Sequence, residues 1–188
     1  MQTKTDRNEA ELAEGCRHAD NTSRRMLYER YGGTLMAICL RYMADREEAE
    51  DVLHDGLLHI FQSIGQFSYQ GEGSLKAWLC RVMTNEALNA LRKRNRQLAQ
   101  EVPLEEVPDC EDEADCDALD IPTQELMRMV QELPDGYRTV FNLYVFEEKS
   151  HKEIGSLLGI SEHTSSSQFY RAKCILTKKL NDYRRRNA

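Results

Sequence analysis

Glu162, His163, Thr164, Ser166, Ser167 and Gln168 crowd carboxylate, imidazole, hydroxyl and amide groups into two turns of chain, and Arg171 and Lys173 follow closely. The neutral groups have the donors and acceptors that read base edges in a DNA groove, and the two cations suit phosphates. The residues just before them explain how they would be presented. In residues 150–171, SHKEIGSLLGISEHTSSSQFYR, Ile154, Leu157 and Leu158 line one face of a short helix. Gly159 can take the left-handed conformation that ends it, Ile160 returns as an apolar plug, and Ser161 is a good N-cap for a second helix. This is the logic of a helix-turn-helix, whose second helix normally enters the major groove. His151 and Lys152, at the start of the first helix, are further candidates for contact with DNA.

A second constellation surrounds a glycine-containing stretch at 67–73, FSYQGEG. Phe67 and Tyr69 offer stacking faces, Gly73 permits close backbone approach, and Ser68 and Ser74 add polar groups, a combination suited to an extruded base. Asn85 follows on the next helix with an amide that both donates and accepts, and Lys76, Arg81, Arg92 and Arg94 supply positive charge. Trp78 lies in an apolar helical stripe and reads as core packing. A third constellation is acidic. Asp45, Glu47, Glu48, Glu50, Asp51 and Asp55 share one helix with His54, a surface that suits a basic partner, or equally a solvated helix stabilised by its own dipole.

The elements that must hold these groups are helical throughout. Residues 25–43 place Met26, Leu27, Tyr31, Leu35, Ile38, Cys39 and Tyr42 on one face. Asp45 caps the next helix, whose Val52, Leu53, Leu57, Ile60, Phe61 and Ile64 turn inward, and Ser74 is expected to cap a third. No strand-like alternation competes. The expected fold is all-α: two small helical domains, at 24–96 and 122–188, joined by a flexible acidic linker at 97–121 and preceded by an extension at 1–23 whose role is open.

Charge distribution separates the halves. The 188 residues carry a net charge of −7, but residues 101–120 alone contribute ten carboxylates and no cation. The rest of the chain is left at +3, the difference between −7 and −10, with basic clusters at 92–96 and 171–186. Two basic surfaces suggest two contacts with a nucleic-acid backbone, although helix C-termini also favour cations. No apolar run is long enough to span a bilayer and the N-terminus lacks a signal-peptide core, so the chain is expected to be cytoplasmic, without membrane insertion. The six cysteines form no CxxC pair; Cys110 and Cys116 in the acidic strip leave a redox or metal role open. A hydrolase or metalloenzyme built on His54, Asp55 and His59, or on His151 and Glu153, finds no HExxH or nucleophile elbow to support it, and neither catalysis nor a metal or cofactor is expected.

Three stretches together resemble an extracytoplasmic-function sigma factor, a small bacterial RNA polymerase subunit: AEDVLHDGLLHIF at 49–61, GSLKAWLCRVMTNEALNALRKR at 73–94, and LPDGYRTVFNLYVFEEKSHKEIGSLLGISEHT at 133–164. The resemblance implies that Glu50, Asp51, His54 and Asp55 meet core RNA polymerase, His54 standing where a glutamine is usual. It implies that Phe67, Ser68, Tyr69, Gly73, Ser74, Lys76, Arg81, Asn85, Arg92 and Arg94 engage melted DNA of the minus-ten element, with Asn85 facing a captured base. His151, Lys152, Glu162, His163, Thr164, Ser166, Ser167, Gln168, Arg171 and Lys173 would then meet the double-stranded minus-thirty-five element. Glu148 and His163 replace usual glycines, and Ser166 stands where a lysine is frequent. An anti-sigma factor is a further partner the resemblance allows. The acidic linker would thread toward the polymerase RNA channel, as a charge mimic or simply as a soluble tether. A conventional helix-turn-helix regulator is the rival reading, lacking any evident effector or dimerisation domain.

Overall fold

The computed structural model describes residues 7–97 and 121–187. Nearly all of the expected linker, with Cys110 and Cys116, lies outside the described residues. Eight α-helices are described: α1 (Glu9–Arg17), α2 (Asn21–Tyr42), α3 (Arg46–Ser63), α4 (Ser74–Gln97), α5 (Thr123–Gln131), α6 (Asp135–Val145), α7 (His151–Leu158) and α8 (Glu162–Asn187). A single 3-10 turn, Ile64–Gln66, follows α3. No strand occurs among the described residues, and none of their helices is long and apolar enough to cross a membrane. The chain divides into two compact units, Met1–Ala99 and Gln100–Ala188.

In the first unit α2 is the central helix, packed against α1, α3 and α4, and α3 also packs on α4. Leu27, Leu35, Leu75 and Leu79 are completely buried, and each contributes roughly 1.5–3 kcal/mol relative to an exposed position. Asp45 caps α3 as expected, accepting the backbone N–H of Glu47 at 2.9 Å and of Glu48 at 3.2 Å. The inward face of α3 is narrower than its pattern suggested. Ala49, Val52, Gly56 and Ile60 are buried, whereas Leu53, Leu57 and Phe61 are only half-buried. Gly56 faces α4, where a Cβ would lie 2.6 Å from Met83 Sδ and displace the flexible tip of that side chain.

The described part of the 1–23 extension, from residue 7, packs into the first unit. Its α1 opens with a capping box between Asn8 and Glu11 and buries Leu12, Ala13 and Cys16. Asp20 then caps α2 through the N–H groups of Thr22 and Ser23. Burial raises the Cys16 thiol to about 11 and the Cys39 thiol to about 12, so both stay protonated and act as small apolar core residues.

In the second unit α8 packs against α5, α6 and α7. Arg138 on α6 is only 2 % exposed. Its guanidinium donates to the carbonyl oxygens of Gln131 at 2.8 Å and Leu133 at 2.7 Å and pairs with Asp135. One buried cation thereby satisfies carbonyls left over at the end of α5 and ties them to the start of α6. Cys174 is buried on α8, and among the described residues Cys16, Cys39 and Cys80 are free.

Candidate nucleic-acid interface

The stretch between α3 and α4 is a loop, as its two glycines predict, but its aromatics divide between core and solvent. Phe67 is 5 % exposed and its ring packs on Trp78, centroids 5.6 Å apart and planes tilted by 49°. The expectation that Phe67 offers a stacking face is therefore corrected: an apolar ring following the 3-10 turn gains more from the core than from water, and it anchors the loop. Tyr69, 47 % exposed, keeps its face free, and Ser68 and Gln70 are also exposed.

Beyond Tyr69 the backbone turns through Gly71 at φ 118° and Gly73 at φ 87°, where an L side chain would be strained. Ser74 does not cap α4 as expected. Its hydroxyl instead closes the loop on itself, donating to the Gly71 carbonyl at 2.6 Å and accepting the Gln70 N–H at 3.2 Å. The cap is supplied by Glu9, whose carboxylate accepts the Leu75 N–H at 3.0 Å and the Tyr31 hydroxyl at 2.8 Å. Burial pushes the Glu9 carboxyl up, but donation from Tyr31 and from the backbone of Leu75, Lys76 and Gly73 outweighs it and holds the group below the ordinary carboxylate range. Burial and the neighbouring Glu9 in turn raise the Tyr31 hydroxyl to about 12.

Along α4, Arg81, Asn85 and Arg92 are exposed and recur on one face at helical spacing. Lys76 is exposed but rotated from that stripe by about 140° at 3.6 residues per turn. Arg92 donates to Asn89 at 3.3 Å, and Arg94 is half-buried and paired with Glu48 at 2.7 Å. The Arg94 guanidinium is therefore held in an ion pair between α4 and α3.

On α3, Glu50, Asp51, His54 and Asp55 are all exposed on one surface, with Leu58, 51 % exposed, on the same face. Arg46 pairs with Glu50 at 2.9 Å. Grooves flank this acidic face on either side. One, about 410 Å³, lies against α2 and is lined by Tyr28, Gly33, Met36, Leu53, His54 and Leu57 among others. The other, about 320 Å³, lies against α4 and includes Asp51, Asp55, Glu86 and Lys93. The half-buried Leu53 and Leu57 belong to the first groove.

In the second unit the helix-turn-helix forms from its local signals. Ser150 and Glu153 make a capping box at the start of α7. Gly159 ends it in the left-handed conformation at φ 71°, and the Ile160 N–H returns to the Gly155 carbonyl at 3.0 Å. Ser161 caps α8, accepting the Thr164 N–H at 2.9 Å. Glu162 and His163 are exposed; Thr164, Ser166, Ser167 and Gln168 are half-buried. The Ser166 and Ser167 hydroxyls donate back to the carbonyls of His163 and Thr164, each at 3.0 Å, which leaves their oxygens as acceptors. Lys173 is exposed, and Arg171 donates to the Tyr137 hydroxyl at 3.2 Å.

His151 is drawn partly inward. Its ring stacks on Tyr144, centroids 4.7 Å apart, and its Nδ1 lies 3.0 Å from the Ser165 hydroxyl oxygen. It holds α7 against α8, and neighbouring Lys152 is the exposed cation at that end. Sequence reading missed Glu9, the hydrogen bond that Tyr31 makes to it, and the exposed rings of Tyr144, Phe146 and Tyr170. An acidic residue within an otherwise ordinary first turn carried no signal of a partner 66 positions away.

Residues 27–97 match the family description Sigma-70 region 2, and residues 123–173 match Sigma-70, region 4. Among curated proteins, the chain is similar to the RNA polymerase sigma-H factor of Pseudomonas aeruginosa, 24% identical over 94% of this chain and 95% of that one. It is also similar to the ECF RNA polymerase sigma factor SigW of Bacillus subtilis, 28% identical over 81% of this chain and 86% of that one. Among solved structures, it aligns with the sigma factor RpoE of Bartonella quintana, crystallised with the anti-sigma factor NepR, at 23% identity and a TM-score of 0.49 over 84% of this chain and 96% of that one.

Proposed function

The chain belongs to the extracytoplasmic-function sigma factors of the sigma-70 family, and from that premise we propose how its own residues divide the work of transcription initiation. A sigma factor of this family joins core RNA polymerase, recognises promoter DNA and promotes strand opening. Its relatives are regulatory initiation factors, and we read this chain likewise as non-catalytic and cytoplasmic.

Glu50, Asp51, His54 and Asp55, with Leu58 among them, form the surface that docks on a basic face of the polymerase; the negative charge of its three carboxylates would repel DNA. Tyr69 supplies a stacking face for an unpaired minus-ten base. Ser68, Ser74, Lys76 and the backbone around Gly73 close around it, and Asn85 reads its edge. Arg81 and Arg92 hold phosphates on the same stripe of α4, with Arg94 acting from its pair with Glu48. Unstacking a base costs a few kcal/mol, which capture in this loop offsets. No nucleotide is consumed.

In the second unit Lys152, Glu162, His163, Thr164 and Gln168 meet the minus-thirty-five duplex. Ser166 and Ser167 act as acceptors, His151 positions α7, and Arg171 and Lys173 hold phosphates. An anti-sigma factor is proposed as a partner on family grounds.

The observation that carries this division is the pairing of a glycine-shaped loop bearing an exposed Tyr69 with a helix-turn-helix closed by the left-handed Gly159. Asn85→Ala tests it. The variant should reduce promoter opening, read by permanganate reactivity of melted thymines, while polymerase binding is unchanged. Equal loss of polymerase binding would contradict the assignment.

A further inference from the structure

The first helix lies outside the matched region 2, which begins at residue 27, yet it grips the loop just described at both ends. At the loop's start, the Arg17 guanidinium donates to the Phe67 carbonyl oxygen at 2.9 Å. At its end, the Glu9 carboxylate accepts the Leu75 N–H at 3.0 Å. The first turn of α4 needs this carboxylate. The residue before the helix is Gly73, which has no side chain to cap with, and the Ser74 hydroxyl is committed to Gly71.

Glu9 is itself fixed. It is 8 % exposed and held from the far side by the Tyr31 hydroxyl on α2. The helix that carries both grips is anchored independently of the loop. Arg7 pairs with Asp20 at 2.9 Å, and α1 and α2 approach so closely at Gly15 that a Cβ there would collide with Ser23.

We propose that α1 is a positioning clamp for base capture: Glu9 and Arg17 hold the two ends of the 67–75 loop so that Tyr69 and the Gly71–Gly73 backbone stand ready before DNA arrives. The clamp rests on the reading of this loop as the minus-ten pocket. Two charge-assisted hydrogen bonds at the loop's ends remove conformational freedom that binding would otherwise have to remove, so the clamp acts on affinity through preorganisation. Glu9 and Arg17 are positioning residues and do not touch the base.

The test uses the full chain bound to core RNA polymerase and a single-stranded DNA pool randomised over ten positions. Selection on the wild-type holoenzyme yields the strand whose affinity is then measured for each variant. Glu9→Gln and Arg17→Met should each weaken that affinity by about tenfold, with core-polymerase binding unchanged and with faster amide exchange at Leu75 for Glu9→Gln. Ile38→Val, which loosens the core at α2 but touches neither grip nor the Arg7–Asp20 anchor, should stay within about twofold of wild type. Arg17 is exposed, so its variant remains informative if Glu9→Gln folds poorly. Wild-type affinity in both grip variants, with Tyr69→Ala impaired, would overturn the clamp and leave the pocket standing. A loss in Ile38→Val equal to theirs would reduce α1 to general stability and also overturn it. Wild-type affinity in Tyr69→Ala and Asn85→Ala as well would overturn the pocket and the clamp together.

Discussion

Gly155 and the carbonyl oxygen of Ile160 meet so closely across the turn of the helix-turn-helix that a Cβ on Gly155 would sit 2.8 Å from that oxygen and 3.4 Å from the Glu162 nitrogen. Both obstacles are backbone, so neither can swing aside. Gly155→Ala is expected to cost about 1–3 kcal/mol, the range for forcing a methyl into a packed site. Urea unfolding should report that loss. Binding to a minus-thirty-five duplex should fall with it, while capture of single-stranded minus-ten DNA by the holoenzyme stays intact.

Glu148 follows α6 with φ 51°, a left-handed backbone that costs a side-chain-bearing residue about 1–2 kcal/mol. The conformation lets the Lys149 N–H return to the Leu143 carbonyl at 3.0 Å. Glu148→Gly relieves the strain, and glycine's greater freedom in the unfolded chain offsets part of the gain. A net stabilisation of about 0.5 kcal/mol is expected, read as a higher denaturation midpoint at unchanged slope. A lower midpoint would mean that the Glu148 side chain contributes more than its backbone costs.

Glu9 makes part of the first unit's stability depend on pH. Its folded carboxyl lies below the ordinary value of 4.5, so its contribution is complete above that value and is lost as pH falls through the folded pKa. The stability gap between wild type and Glu9→Gln should be constant from neutral pH down to about 5 and close below it. Asp20, Glu132 and Glu153 are also held low, by hydrogen bonds and neighbouring cations. They contribute equally to both proteins and drop out of the difference. A gap that persists undiminished in acid would show that Glu9 acts through shape and not charge.

What could be read in the sequence was local. The turn at Gly159, the caps at Asp45 and Ser161, and the glycine-broken loop each depend on residues within a few positions of one another, and each occurs where its chemistry predicts. What could not be read was long-range. Ser74 looked like a cap until Glu9 arrived from α1 to take that role. Phe67 looked like a stacking face until Trp78 covered it. The residues before α2 form a capping box in the structure, yet nothing in their sequence pointed to α4. A residue's type states which bonds it can make; only the packed helices decide with whom.

The most direct measurement of the central claim is transcription in vitro by core RNA polymerase with this chain, over a promoter library, with the new RNA ends mapped. Transcripts should start downstream of a shared pair of elements and require the added chain. Asn85→Ala should lose them while still joining the polymerase. Specific duplex binding without polymerase association or transcripts would mark a conventional helix-turn-helix regulator and contradict the account.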